Sequence, residues 1–229
     1  MEGDTRSARF RPNRQVLETL RNTRALGVAR RLGKIDMDLV SRLRDGAAVL
    51  DGQADHGYID DVAVHWARTG FQMTEEDKDT SYTRSLKRNV AIAKVTDESG
   101  LVSETYRNTP LAAAVEDWRG VISRYADDLT LTRINFLTGK GHVLEHVDPP
   151  DQNMIQCLLA GDTVFDFRTK SGRQSYRMKI GEIWWFNTAW PHSTRNDSDD
   201  LRLLLHTRGT LKDEILQAPE AEPSEATTN

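Results

Sequence analysis

Residues 131–209 read LTRINFLTGKGHVLEHVDPPDQNMIQCLLAGDTVFDFRTKSGRQSYRMKIGEIWWFNTAWPHSTRNDSDDLRLLLHTRG. From about residue 127 onward, short runs of strand-forming residues alternate with turn signals. These runs are LTLTRINFL, GHVLEHVD, MIQCLLAG, TVFDFR, QSYRMK, EIWWFN, HSTRN and LRLLLHT. So many short strands in so few residues predict a double-stranded β-helix, the jelly-roll form that cupins also use. Inward residues of such a small barrel can build a site near its mouth.

Three residues in this stretch form a candidate metal site. Successive side chains of a strand point to opposite faces, so His146 and Asp148, an H-x-D pair, share one face. His192, just past the run GEIWWFNTAWP, is the candidate for a second imidazole. Two histidines and one carboxylate on one side of a metal form the facial triad that holds non-haem Fe(II).

An isolated H-x-D pair is a weak signal, and another histidine competes for the same role. His142 has the same strand parity as His146 and Asp148, which makes it the rival ligand. It is also a candidate for lining the pocket and contacting a substrate.

Arg202 follows His192 by ten residues, at the start of the run LRLLLH. A guanidinium is a planar fork that matches a carboxylate and keeps its charge. The alternative is an ordinary surface arginine paired with Asp199 or Asp200.

The motifs together resemble the aspartyl/asparaginyl β-hydroxylase-like branch of the 2-oxoglutarate/Fe(II) dioxygenases, which includes bacterial hydroxylases that act on free proline. The matching residues are TRI at 132–134, H-x-D at 146–148, GEIWWF at 181–186, P-H-S at 191–193 and Arg202. The spacings from Arg133 to His146 and from His192 to Arg202 also fit the family pattern. The resemblance covers a little under half of the chain.

This resemblance implies an enzyme that uses Fe(II), 2-oxoglutarate and O2, with ascorbate as the reductant in vitro. His146, Asp148 and His192 would bind iron, and Arg202 would hold the far carboxylate of 2-oxoglutarate. The implied reaction hydroxylates an unactivated carbon of a free amino acid or small amino-acid-derived metabolite, releasing succinate and CO2. Related halogenases have a small residue in place of Asp148, so hydroxylation is favoured over halogenation.

Other functions stay open at this point. The same chemistry can act on a residue of a peptide or protein, or on a natural-product intermediate. A cupin-like module that binds a metal or ligand without oxygenase turnover is the alternative of another class, because a fold alone does not define a function.

The chain departs from the family pattern in the strand after H-x-D. Family members carry R-x-H there, in contact with 2-oxoglutarate, and this chain has Met154 and Gln156. Gln156 can donate a hydrogen bond to the cosubstrate but carries no charge. Arg133 either compensates at the cosubstrate, binds a substrate carboxylate, or forms a structural salt bridge.

Three further residues are candidates for contact with the substrate. His206 and Arg208 share strand parity with Arg202, and Trp190 precedes Pro191 next to His192.

The predicted class is α+β, with the barrel core and N-terminal helices packed outside it. We divide the chain into a flexible arm (1–14), a helical and mixed region packing on the barrel (15–126), the catalytic core (127–215) and a disordered tail (216–229). The tail prediction rests on its richness in Pro, Glu and Thr.

Local patterns refine this division. A helix is predicted from Asp36 to Arg44, followed by a short strand at AAVLDG (residues 47–52), and another helix begins at Pro110. Alternation sends Trp184 and Trp185 to opposite faces, one into the barrel core and the other under the N-terminal helices.

Composition limits the partners. The chain has 229 residues, 29% of them charged, and a formal net charge of −4, which gives no nucleic-acid footprint. It has no apolar run long enough for a membrane span, and its first residues lack the apolar core of a signal peptide. One cysteine, Cys157, excludes an intramolecular disulfide framework, so we expect a cytoplasmic protein. The family resemblance implies a small-molecule partner, an amino acid or a derivative of one. The sequence leaves the oligomeric state open.

Overall fold

The computed structural model describes residue 19 and residues 21–51, 87–94, 110–137, 139–148 and 154–227. The arm predicted at residues 1–14 lies outside this part of the chain. Strands predominate in the described part and helices are few. None of its helices is both long and apolar enough to cross a membrane.

All eight short strands expected from about residue 127 onward are present, together with three others in the described part of the chain. The strands are β1 (Ala29–Lys34), β2 (Lys87–Lys94), β3 (Ala126–Leu137), β4 (His142–His146), β5 (Met154–Ala160), β6 (Thr163–Thr169), β7 (Gly172–Met178), β8 (Glu182–Phe186), β9 (His192–Arg195), β10 (Arg202–Leu211) and β11 (Glu225–Thr227). The helices are α1 (Met37–Asp51), α2 (Pro110–Ile122) and α3 (Asp213–Gln217).

The strands form two antiparallel sheets. The major sheet has the order β1-β8-β5-β10-β3-β2, and the minor sheet has the order β11-β7-β6-β9-β4. Between β3 and β10 the pairing is nested, because β3 pairs with β10, β4 with β9, β5 with β8 and β6 with β7. This nested pairing is the jelly-roll arrangement.

Aromatic and aliphatic side chains fill the space between the two sheets. The rings of Phe165 on the minor sheet and Phe186 on the major sheet stack with their centroids 4.4 Å apart. Trp184 lies in this inner core, whereas Trp185 lies in the second core, under the helices, as alternation predicted. Both sheets therefore contribute side chains to this inner core.

Helices α1 and α2 cover the outer face of the major sheet. The Asp36 carboxylate caps α1 by accepting a hydrogen bond from the backbone N–H of Leu39 at 2.7 Å. On α2, the buried Trp118 indole donates a 2.7 Å hydrogen bond to Thr207 on β10. This polar contact fixes the helix against the strand that begins with Arg202.

The strand predicted at AAVLDG is wrong, because α1 continues through it to Asp51. Leu39, Leu43 and Ala47 are spaced four residues apart and are all buried in the outer core. A Cβ atom at Gly46 would lie 2.8 Å from the Leu111 side chain, so glycine permits the close approach of α2. Packing of this stripe outweighs the local preference of the sequence.

The core is larger than the predicted 127–215. Strand β1 pairs with β8, and β2 pairs with β3, so the N-terminal part of the chain supplies both edge strands of the major sheet.

The prediction of a disordered tail at 216–229 is also wrong over its described part. Strand β11 pairs with β7, and the Glu220 carboxylate accepts a 3.1 Å hydrogen bond from the backbone N–H of Val28. The buried Arg30 guanidinium donates to the carbonyls of Leu216 and Ala218 at 2.8 and 3.0 Å. These contacts come from residues far away in the sequence, which composition does not reveal.

Candidate metal centre

The three predicted metal ligands come together between β4 and β9. His146 ends β4 and His192 begins β9, and these two residues are direct cross-strand partners. Their ring centroids are 4.3 Å apart. Asp148 follows two residues after His146, and its backbone N–H donates to the carbonyl of Thr188 at 2.9 Å. The sheet pairing therefore brings the two halves of the predicted site together.

The donor atoms of the three side chains converge on one point. The His146 Nε2 atom is 3.8 Å from one Asp148 oxygen, and the His192 Nε2 atom is 3.7 Å from the other. Both distances are too long for hydrogen bonds. Ligand atoms around a single ion with bonds of about 2.1 Å are separated by roughly 3 to 4 Å. The potential ligand atoms of the three residues all lie within 4.8 Å of one another, so the set fits one metal ion.

The orientation of His192 suits metal binding. Its Nδ1 atom lies 3.0 Å from the carbonyl oxygen of Trp190. A carbonyl only accepts hydrogen bonds, so Nδ1 carries the proton and the lone pair of Nε2 faces Asp148. His192 is also 3% exposed, which protects this orientation from competing water.

The loop that leads to His192 is held by the turn at residues 23–27, which we call the N-terminal turn. The Asn187 side-chain amide donates to the carbonyls of Thr23 and Gly27, both at 2.7 Å, and its oxygen accepts from Ala189 N–H at 3.3 Å. The Arg24 guanidinium lies over the Trp190 ring, 5.2 Å from its centroid. Asn187 is thus the centre of a junction next to the second imidazole.

Replacing Asn187 with alanine is expected to lower the free energy of unfolding by about 2–3 kcal/mol, because it removes the three hydrogen bonds of this side chain. Affinity for a divalent metal should fall as well, since the junction positions His192. Urea denaturation and metal titration measure the two effects. Ser123→Ala, which removes an exposed hydrogen bond on the far side of α2, is the control. Equal stability of the two variants would contradict this role.

His142 lies on the other face of the minor sheet. The pairing of β4 with β9 is irregular between Val143 and His146, so that His142 pairs with Arg195 and Val143 with Thr194. Arg195 forms an ion pair with Asp166 on the outer face, whereas Thr194 points inward. The expectation that His142 shares a face with His146 is therefore wrong. The irregularity changes the parity of the strand, and a role for His142 as ligand or substrate contact loses its basis.

Arg202 is buried inside the barrel and is not the surface residue of the alternative interpretation. It is 1% exposed. Its Nη1 atom donates to the hydroxyls of Thr163 and Thr194 at 3.0 and 2.8 Å, and its Nη2 atom donates to the Asn135 side-chain oxygen at 2.6 Å. These partners are neutral.

Thr163, Thr194 and Asn135 form a cradle around the Arg202 guanidinium, and none of the three offers it an acidic group. Burial lowers the pKa of Arg202 to about 9, and the nearby charge of Asp162 only partly opposes the shift. The buried Nε–H has no hydrogen-bond partner among the described residues. A buried cation whose fork is incompletely used is a site for an anion, above all a carboxylate.

The distance between the cradle and the metal ligands is short. Thr194, which contacts Arg202, and His192 lie two residues apart on one face of β9, so the two positions are separated by roughly 7 Å. An extended five-carbon dicarboxylate measures roughly 5 Å between its terminal carbons and roughly 7 Å between its outermost oxygens. A dicarboxylate of that length, with one end at Arg202, reaches the three ligands with its other end.

Other predicted residues lie on the inner face of the major sheet. His206 on β10 pairs with Arg133 on β3 and with Gln156 on β5, and Arg208 pairs with Met154. The Oε1 atom of Gln156 is buried and has no hydrogen-bond partner in the described part of the chain. These polar side chains thus share the inner face of the major sheet.

Trp190 is turned towards the N-terminal turn. Its indole N–H donates a 3.3 Å hydrogen bond to the carbonyl of Gly27. Its described polar contacts are thus with Gly27 and with Arg24, whereas its carbonyl orients His192.

The residues that form the cradle of Arg202 were not predicted from the sequence. Asn135 is two residues after Arg133, and Thr194 is two residues after His192. Strand parity from those two residues would have predicted both positions. Thr163 has no comparable signal, because it comes from a different hairpin.

Comparison with known proteins identifies a related family. Residues 97–210 match the family model described as aspartyl/asparaginyl beta-hydroxylase. The match contains the three predicted ligands and Arg202. No curated protein sequence matches the chain.

Solved structures that are similar to part of this chain include oxalate decarboxylases. The Bacillus subtilis enzyme at pH 4.6 has 14% sequence identity and a TM-score of 0.32, over 35% of this chain and 21% of that chain. The formate complex of the Lactobacillus farciminis enzyme has 12% identity and a TM-score of 0.35, over 55% of this chain and 29% of the other. This chain thus spans less than a third of each of these structures.

Proposed function

We propose that this chain, whose residues 97–210 belong to the aspartyl/asparaginyl beta-hydroxylase family, is a hydroxylase that uses Fe(II), 2-oxoglutarate and O2. Its substrate is a free amino acid or a small amino-acid-derived metabolite, and its by-products are succinate and CO2. The observation that carries this proposal is the position of the buried, incompletely paired Arg202 at one cosubstrate length from the His146, Asp148 and His192 cluster.

The metal ligands fit ferrous iron. Two neutral imidazoles and one carboxylate on one side of the ion leave the opposite positions open for a cosubstrate. When bound, iron and 2-oxoglutarate supply the oxidising chemistry. The protein supplies the ligand positions, a fixed tautomer at His192 and a barrel interior that excludes water.

Arg202 fits the far carboxylate of 2-oxoglutarate. The fork of its guanidinium provides two parallel hydrogen bonds to a carboxylate, and a buried site strengthens them. The hydroxyls of Thr163 and Thr194 hold the guanidinium in place before the cosubstrate arrives. Gln156, at the position where the resembled family has a charged or imidazole side chain, is left to donate an uncharged hydrogen bond.

The proposal is tested by mass spectrometry of the reaction mixture. Purified protein is incubated with Fe(II), ascorbate, 2-oxoglutarate and a pool of free amino acids and simple derivatives. We expect one compound to gain one oxygen atom, with a matched amount of succinate. Succinate without an oxidised compound would place the substrate among peptides or natural-product intermediates. If protein that holds iron gives neither signal, the result contradicts the proposal and favours a cupin-like binding module.

A further inference from the structure

Residues 218–227, which we call the C-terminal strap, join two parts of the fold that are distant in sequence. At one end of the strap, β11 pairs with β7, and the Ser224 N–H donates to the carbonyl of Ser175 at 2.7 Å. Nearer its beginning, the Ala221 N–H donates to the carbonyl of Ala29 on β1 at 2.9 Å. The strap therefore binds the start of β1, directly after the N-terminal turn.

Glu220 and Arg30 fasten the strap to the N-terminal turn. The Glu220 carboxylate accepts a 3.1 Å hydrogen bond from the Val28 N–H, and it fills the space that a Cβ atom at Gly27 would need. The buried Arg30 guanidinium donates to the carbonyl of Leu26 at 2.7 Å and also to carbonyls just before and within the strap. The turn and the strap are thus held by the same side chains.

The N-terminal turn also contacts the loop that precedes His192. The Gly27 carbonyl accepts hydrogen bonds from the Asn187 side-chain amide at 2.7 Å and from the Trp190 indole at 3.3 Å. The Trp190 carbonyl lies 3.0 Å from the Nδ1 atom of His192. A short path of hydrogen bonds therefore connects the strap, through the turn, to a predicted metal ligand.

The strap is bound loosely in comparison with the barrel. Ala221 packs against the inner core but is only partly buried. Four strap residues are exposed, namely Pro219, Glu220, Glu222 and Ser224. Segments with few buried apolar contacts and exposed hydrogen bonds open locally, at a lower free energy than the whole fold.

We propose that the C-terminal strap is a positioning element of the metal centre. It opens locally, and its closure holds the N-terminal turn and so fixes His192 for metal binding. Because coupling between two sites is reciprocal, a metal ion at His192 favours the closed strap. This inference rests on the metal centre of the proposed function, and it is independent of the cosubstrate and the substrate.

Hydrogen exchange of the full-length chain tests this coupling without turnover. NMR follows exchange of the Ala221 and Ser224 amides with and without saturating Zn(II). We expect Zn(II) to slow both amides at least about fivefold, which is the lower end of typical coupling between sites. The Ser123 amide, which donates to the Arg119 carbonyl just after α2, is the control. It opens locally outside the strap and the turn, so its exchange should stay unchanged.

Two variants test the path from the strap to His192. Ala221→Pro removes the N–H that bonds to Ala29, so it should weaken Zn(II) binding at least about fivefold in a calorimetric titration. Glu222→Ala, which removes an exposed side chain from the same strap, is the control and should bind Zn(II) as the unmodified protein does. Asn187→Ala cuts the link between the turn and the loop, so Zn(II) should slow the strap amides less in this variant.

The outcomes separate this inference from the proposed function. If Zn(II) binds but leaves exchange of the strap amides unchanged, or slows the Ser123 amide equally, the inference alone is overturned. Strap amides that exchange as fast as those of an unstructured peptide in both states would also overturn it, because the strap would then be open in solution. If the unmodified protein binds no Zn(II), the metal centre of the proposed function and this inference are both overturned.

Discussion

Replacing His146 with alanine is expected to abolish succinate release and to weaken binding of a divalent metal by more than about a hundredfold. The variant removes one of three ligand atoms that lie within 4.8 Å of one another. Asp148→Ala should have the same effect, since it removes the only charged ligand. The fold should persist, because both side chains lie at the barrel mouth and outside the two hydrophobic cores. Metal content of the purified protein and a succinate assay measure these losses.

His142→Ala is the matched control for this experiment. It removes the same type of side chain from the same strand, four residues away, on the outer face of the sheet. We expect its metal content and turnover to equal those of the unmodified protein. A loss in His142→Ala comparable to that in His146→Ala would show that the strand parity inferred from the irregular pairing is incorrect.

Replacing Arg202 with methionine is expected to weaken 2-oxoglutarate binding by at least about thirtyfold, while metal binding is retained. Removing one partner of a buried, charge-assisted contact typically costs about 2–5 kcal/mol. The ligand-free variant should stay folded, because methionine replaces a buried cation whose direct partners are neutral. Isothermal titration with 2-oxoglutarate and with Zn(II) measures the two affinities separately.

Two further variants test whether the loss of binding is specific to the guanidinium of Arg202. Arg202→Lys keeps a charge without the planar fork and should bind 2-oxoglutarate with intermediate affinity. Arg168→Met removes an exposed arginine from β6 and should have no effect. Unchanged 2-oxoglutarate binding in Arg202→Met would remove the observation on which the proposed function rests.

Most of the strands and the candidate ligands were predictable from the sequence. The eight core strands were recognisable because strand-forming runs alternate with turn residues. His146, Asp148 and His192 were predicted from strand parity and the family resemblance, and the structure brings them together. The opposite faces of Trp184 and Trp185 followed from the two-residue period of a strand.

The failures share one cause, which is contact with distant parts of the chain. The extension of α1 through Ala47 depends on packing against α2, and the ordering of β11 depends on its pairing with β7. His142 was misplaced because an irregular pairing with β9 changes strand parity. A local pattern does not contain information about such partners.

The sequence by itself determined the residue types and their periodic placement: the short alternating strands, the H-x-D pair, the later histidine and the arginine ten residues after it. These are local properties, since side-chain direction along a strand depends only on backbone geometry. The tertiary structure decided which of these residues meet and what surrounds them. It buried Arg202 among three neutral side chains, turned His142 outward and separated Arg133 from the cradle. Burial and electrostatic neighbours depend on residues brought together by folding, and a local sequence pattern does not contain them.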